Sequence, residues 1–129
     1  MTDFVKALHQ FWSQFGTAYQ QDQVPDGQQF PYITYEVIEG APFAQNALTA
    51  RCWFAHREGE SINAAVAALL DRVKKAIPPQ GVKLPCGEGF AVLYPNAAGF
   101  LSYEVDPDTL EDGRKIVSGR VSYEITYYL

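Results

Sequence analysis

The chain has 129 residues, 47% of them hydrophobic and 19% charged, which fits one globular domain and excludes a disordered or collagen-like polypeptide. Net charge is −5, from 15 acidic against 10 basic side chains, so direct nucleic-acid binding, which relies on Lys/Arg clusters, is disfavoured. No apolar run approaches the roughly 18 residues of a membrane span, and residues 1–20 lack a basic region followed by an apolar one; neither anchor nor signal peptide is expected.

A first helix is expected from Thr2 to Phe15, with Thr2 or Asp3 as N-cap and Gly16 as its stop. Phe4, Leu8, Phe11 and Phe15 share one stripe, widened by Val5 and Trp12, which suits covering a sheet or meeting another subunit. From Gly16 to Phe30 the chain is polar and carries the turn signature Val24-Pro25-Asp26-Gly27, so a long loop is expected. Pro31–Glu39 alternates as a strand, with Ile33, Tyr35 and Val37 opposite Tyr32, Thr34 and Glu36, and Gly40-Ala41-Pro42 breaks it. Gln45–Arg57 alternates again, with Leu48, Ala50, Cys52 and Phe54 opposite Thr49, Arg51 and Trp53.

Ser61 is a good N-cap for a second helix, whose stripe is Ile62, Val66, Leu69, Val73 and Ile77, and Pro78-Pro79 ends it. Two shorter strands are read at about 90–94 and 99–105. A final strand over 114–129 sets Val117, Val121, Tyr123, Ile125, Tyr127 and Leu129 against Ser118, Arg120, Ser122, Glu124 and Thr126. The expected fold is therefore α+β: a single domain over 1–129, with a mostly antiparallel sheet and two helices on one of its faces, in the order α-β-β-α-β-β-β.

Catalytic signals are weak. His9 and His56 belong to no metal-ligand spacing, and there is no GxSxG. Gly87-Glu88-Gly89 lacks the rest of a phosphate loop and precedes a strand. Cys52 and Cys86 read as small buried hydrophobes, and Arg72, Lys74 and Lys75 as cations favoured at a helix C-terminus. No cofactor or metal is expected. The carboxylates of Glu104–Asp112 do not follow an EF-hand pattern and read as a solvated hairpin connection. Asp106, Asp108, Glu111 and Asp112, followed by Arg114, could instead pair with complementary charge on an adjoining subunit. Tyr32, Trp53 and Tyr128 fall on nominally polar strand faces, where they form either cross-strand aromatic pairs or a subunit interface.

One run, Val24-Pro25-Asp26-Gly27-Gln28-Gln29-Phe30-Pro31-Tyr32-Ile33-Thr34-Tyr35-Glu36, is similar to a segment recurring in tail-terminator, or tail-completion, proteins of long-tailed bacteriophages and prophages. The sequel resembles them too. A Leu48–Phe54 strand and a helix like 61–77 precede a Phe-Ala-Val-Leu-Tyr-Pro strand, an Asp-Pro-Asp turn and a last strand like 120–125, so that the likeness spans about residues 4–127. It implies a non-enzymatic virion protein, assembled in the host cytoplasm, whose copies close into a ring, commonly a hexamer. That ring caps the tail tube and meets the head connector. The partners so implied are further copies of the chain, the tail tube protein and the head–tail connector protein. A connector or tube subunit is the alternative, and a small ligand-binding or hydrolytic domain built on the 104–112 carboxylates a more distant one.

Overall fold

A computed structural model describes residues 3–38 and 41–128. Its elements are α1 (Asp3–Ser13), β1 (Ala18–Gln20), β2 (Tyr32–Tyr35), β3 (Gln45–Ala55), α2 (Ile62–Ala76), β4 (Val82–Cys86), β5 (Gly89–Pro95), β6 (Leu101–Thr109) and β7 (Lys115–Tyr128). The seven strands form one curled, mostly antiparallel sheet ordered β1-β2-β3-β7-β5-β4, with β6 also on β7 and β1 parallel to β2.

The strand β7 is the spine. One of its edges pairs with β3 from Ile116 to Thr126. Its other edge is shared end to end, β6 taking Lys115 to Val121 and β5 taking Tyr123 to Tyr128. Because side chains alternate along a strand, this ladder sorts every neighbour into two faces. One face carries Ile33, Tyr35, Leu48, Ala50, Cys52, Ala91, Leu93, Val121, Tyr123 and Ile125, all in a single buried cluster with the apolar stripes of both helices. The helices thus cover one face, as expected for α+β. On α1, Trp12 is fully buried, touches Phe11, Phe15 and Tyr123, and directs its Nε1–H to the Tyr123 hydroxyl at 3.4 Å. On α2, Ser61 caps the first turn by accepting the Ala64 amide, and Leu70 lies so close to Gly119 that a Cβ there would meet it at 2.8 Å.

Several boundaries differ from the sequence reading. The order is α-β-β-β-α-β-β-β-β, because two strands escaped it. β1 is three residues inside a polar stretch, with no apolar alternation to announce it; its structure comes from the β2 edge beside it. β4 contains Pro85, which argues against a strand except at an edge, and β4 is an edge. β2 ends at Tyr35 rather than Glu39, since the Glu36 side chain accepts the Thr49 amide at 2.6 Å. α1 stops at Ser13, before a turn in which the Phe15 amide donates to the Trp12 carbonyl and Gly16 takes a positive φ. Thr2, Glu39, Gly40 and Leu129 lie outside the described residues.

Replacing Trp12 with Ala should cost about 3–5 kcal/mol, a large share of the stability of a domain this size. Urea unfolding of W12A should therefore show a midpoint far below that of the parent, or no native baseline at all.

Candidate functional site

On the uncovered face the curl of the sheet makes a trough of about 610 Å³. Its floor is built from the outward positions of β2, β3, β7 and β6: Tyr32, Thr34, Arg51, Trp53, Ser118, Arg120 and Glu104. Register brings them together. Tyr32 stands across from Trp53 and Arg51 across from Arg120, while Glu104 stands across from Ser118.

Two arginines directly opposed on neighbouring strands repel each other. Glu104, reaching in from the far side of β7, offsets this. Its Oε2 lies 2.6 Å from Arg51 Nη1 and its Oε1 3.8 Å from Arg120 Nη1. Arg51 also donates to the Ser118 hydroxyl at 3.3 Å, which explains how that serine tolerates near-complete burial. The hydrogen bond from Arg51, chiefly, holds the Glu104 carboxyl below its ordinary pKa, and the charge of Arg120 acts the same way. The Nε of Arg120 is buried and has no hydrogen-bond partner among the described residues.

An aromatic wall continues from the arginines. The Arg51 guanidinium lies 5.8 Å from the Trp53 ring centre, Trp53 stacks on Tyr32, and Tyr32 meets Phe30. Trp53 is oriented by its Nε1–H, which donates to Thr34 Oγ1 at 2.9 Å. Burial, and secondarily the charge of Asp106, raises the pKa of the Tyr32 hydroxyl. Planar groups and fixed charges thus stand together on neighbouring strands, the kinds of group that stack on rings and pair with charges.

The residues singled out from sequence divide into three places. Tyr32, Trp53 and Asp106 line the trough. Tyr128 sits at the other end of the same face, stacked on Phe90 and edge-on to Phe43, with Lys83 Nζ 4.1 Å from the Phe90 ring centre. Ten positions of β7, about 30 Å of extended strand, separate the level of Trp53 at Ser118 from Tyr128. Asp108, Glu111, Asp112 and Arg114 belong to the β6–β7 hairpin, but β6 runs on to Thr109, so the acidic stretch is largely strand rather than the connection read from sequence. Its carboxylates serve the backbone locally. Asp106 accepts the Asp108 amide, while Asp112 accepts the Arg114 amide and pairs with Arg114 Nε at 2.7 Å. Those Arg114 contacts, the backbone one first, lower the Asp112 pKa.

Arg51, Ser118 and Arg120 were not singled out from sequence, and Glu104 was read there only as the first carboxylate of the acidic stretch. Their signal was present as charges on the outward side of two long strands, but their meeting depends on a register that alternation alone does not supply. The remaining candidates are structural. His9 Nδ1 lies 2.9 Å from the Tyr35 hydroxyl, and Arg72 holds the Gln14 carbonyl and the Phe15 ring, tying α2 to the end of α1. Cys52 and Cys86 are buried and form no disulfide, and burial pushes the Cys52 thiol up to about 12.

Two outcomes follow. In the native protein both thiols should resist a water-soluble thiol reagent, reacting only once denaturant is added; fast native labelling would contradict their burial. Because folding lowers the Glu104 pKa, its stabilisation is complete above the unfolded value of about 4.3 and fades as pH falls through the lower folded value. Glu104→Gln should remove that acid-limb dependence from a plot of Tm against pH and destabilise by about 1 kcal/mol at neutral pH.

No protein-family model, no curated protein and no solved structure matches the chain.

Proposed function

We propose that this protein is a non-enzymatic structural subunit of a long-tailed phage or prophage particle, acting as a tail terminator. In this reading its copies close into a ring that caps the tail tube and presents a surface to the head connector. The resemblance of residues 24–36 and of the following motif order to tail-terminator proteins supports it. The single structural observation that carries it is the two-sided sheet. One face is sealed by two helices, while the other holds Tyr32, Trp53, Phe90 and Tyr128 in two aromatic groups with no helix over them among the described residues.

Such a face suits docking to a broad, shaped protein surface, since Tyr and Trp contribute large contact area at low entropic cost and monomers seldom leave such groups uncovered. Contacts between unlike patches of identical subunits close into a ring when their rotation permits. The hairpin carrying Asp108, Glu111, Asp112 and Arg114 projects charged groups that set the register of such a contact.

The test is direct. Purified protein mixed with tail tubes lacking their terminator should appear in negative-stain images as a ring at one end of each tube, and tube length should then stay constant with added tube protein. Binding along the whole tube, or at the capsid side of the neck, would instead assign a tube subunit or a connector. No association with tubes or connectors would remove the proposal. Trp53→Ala combined with Tyr128→Ala should weaken capping at least about tenfold while leaving the circular-dichroism spectrum unchanged, if both groups lie in the docking face.

A further inference from the structure

The edge of the sheet beyond β7 is stepped. Beside the C-terminal half of β7 lie two strands, β5 and then β4; beside its N-terminal half lies only β6. The step falls at Ser122, because Pro95 ends β5 opposite Tyr123 and Leu101 begins β6 opposite Val121. The outer edge of β6 therefore borders a notch one strand wide, and β4 protrudes by one strand. Nine residues long, β6 is the longest edge strand of the sheet, against five in β4 and three in β1. It also carries Tyr103 and Val105, 43% and 58% exposed, two of the four exposed large hydrophobics among the described residues.

We infer that this edge is a two-fold interface with a second copy of the chain, in which β4 of each copy fills the notch beside β6 of the other. A two-fold axis perpendicular to the sheet at the level of Ser122 carries a protruding β4 into the partner's notch and closes both gaps at once. It sets β4 of one copy parallel to β6 of the other and keeps the helices of both copies on the same side.

The step alone sets the register, and the register can be checked against side chains that played no part in choosing it. The axis maps the level of Ile125 onto that of Gly119, Thr126 onto Ser118 and Tyr127 onto Val117. Val82 lies at the level of Ile125 through Leu93, so it comes beside Tyr103, the partner of Gly119. Leu84, at the level of Tyr127 through Ala91, comes beside Val105. Lys83, at the level of Thr126 through Val92, comes beside Glu104. Apolar side chains thus meet apolar ones on the helix side, and a lysine meets a glutamate on the open side, where one Glu104 oxygen has its nearest other cation, Arg120, only at 3.8 Å.

Prolines and charges on edge strands commonly serve to prevent pairing. Here Pro85 and Pro107 both fall beyond the Leu84–Val105 pair, so they end the seam and do not interrupt it. Pairing β6 with its own copy in antiparallel fashion about Glu104, Val105 or Asp106 would set like charges opposite each other, which disfavours those registers. The inference goes beyond the ring reading and does not rest on it. The seam is measured without tail tubes and capping with them, so either can fail alone.

Sedimentation equilibrium of the full chain should show a concentration-dependent monomer–dimer system. Val105→Asp, a change at an exposed position, should raise the dimer dissociation constant at least about tenfold. In a second variant, Leu84→Cys with Val105→Cys, mild oxidation should give one disulfide-linked dimer band on a non-reducing gel, with either single cysteine variant giving none. A wild-type monomer at every soluble concentration would overturn the inference. So would a dimer indifferent to Val105→Asp, or a cross-linked ladder beyond the dimer.

Discussion

The period-two alternation of β7 is the constraint on which the molecule depends. A single strand of fourteen residues pairs with β3 on one edge and with β5 and β6 on the other, so its choice of inward residues decides the facing of three further strands. A slip of one residue would carry Val121, Tyr123 and Ile125 out of the core and drive Arg120, Ser122 and Glu124 into it. The burial of Trp12 against Tyr123 then locks the helical layer to the spine, and Leu70 against Gly119 does so at the other helix.

The same alternation explains why the uncovered face is chemically rich. Every residue that β7 turns away from the helices must live beside water or beside another polar group, and the register supplies the latter. Arg51 and Arg120 would be poor neighbours alone; Glu104, delivered from the opposite edge of β7, makes them a bridged set. Trp53 and Tyr32 pair across the β2–β3 ladder on the same principle. A rigid sheet thus holds charges and rings in one arrangement without loops, which suits shape recognition between proteins.

The stepped edge has a related origin. Two collinear strands, β5 and β6, share one side of β7, and only β5 has a further neighbour. This leaves the sheet with a self-complementary outline, and the alternating faces of β4 and β6 carry matching chemistry at the level of that outline. Two-fold contacts need one patch that complements itself under rotation, and a step in a sheet edge is such a patch.

Much of this was legible in the amino-acid order, for a physical reason. Periodicity is a local property, so the stripes of α1 and α2, the two faces of β3 and β7, the Ser61 cap and the burial of Cys52 follow from neighbours along the chain. The outward placement of Tyr32, Trp53 and Tyr128 follows in the same way. What alternation cannot express is which strands lie side by side and at what register. β1 exists only because β2 offers it an edge, and β4 keeps a proline only because it is one. The Arg51–Glu104–Arg120 set joins residues about fifty and seventy positions apart in sequence, and the step at Ser122 arises where two separate strands meet a third. Those features are set by long-range pairing, whose energy resides in contacts that no local window contains.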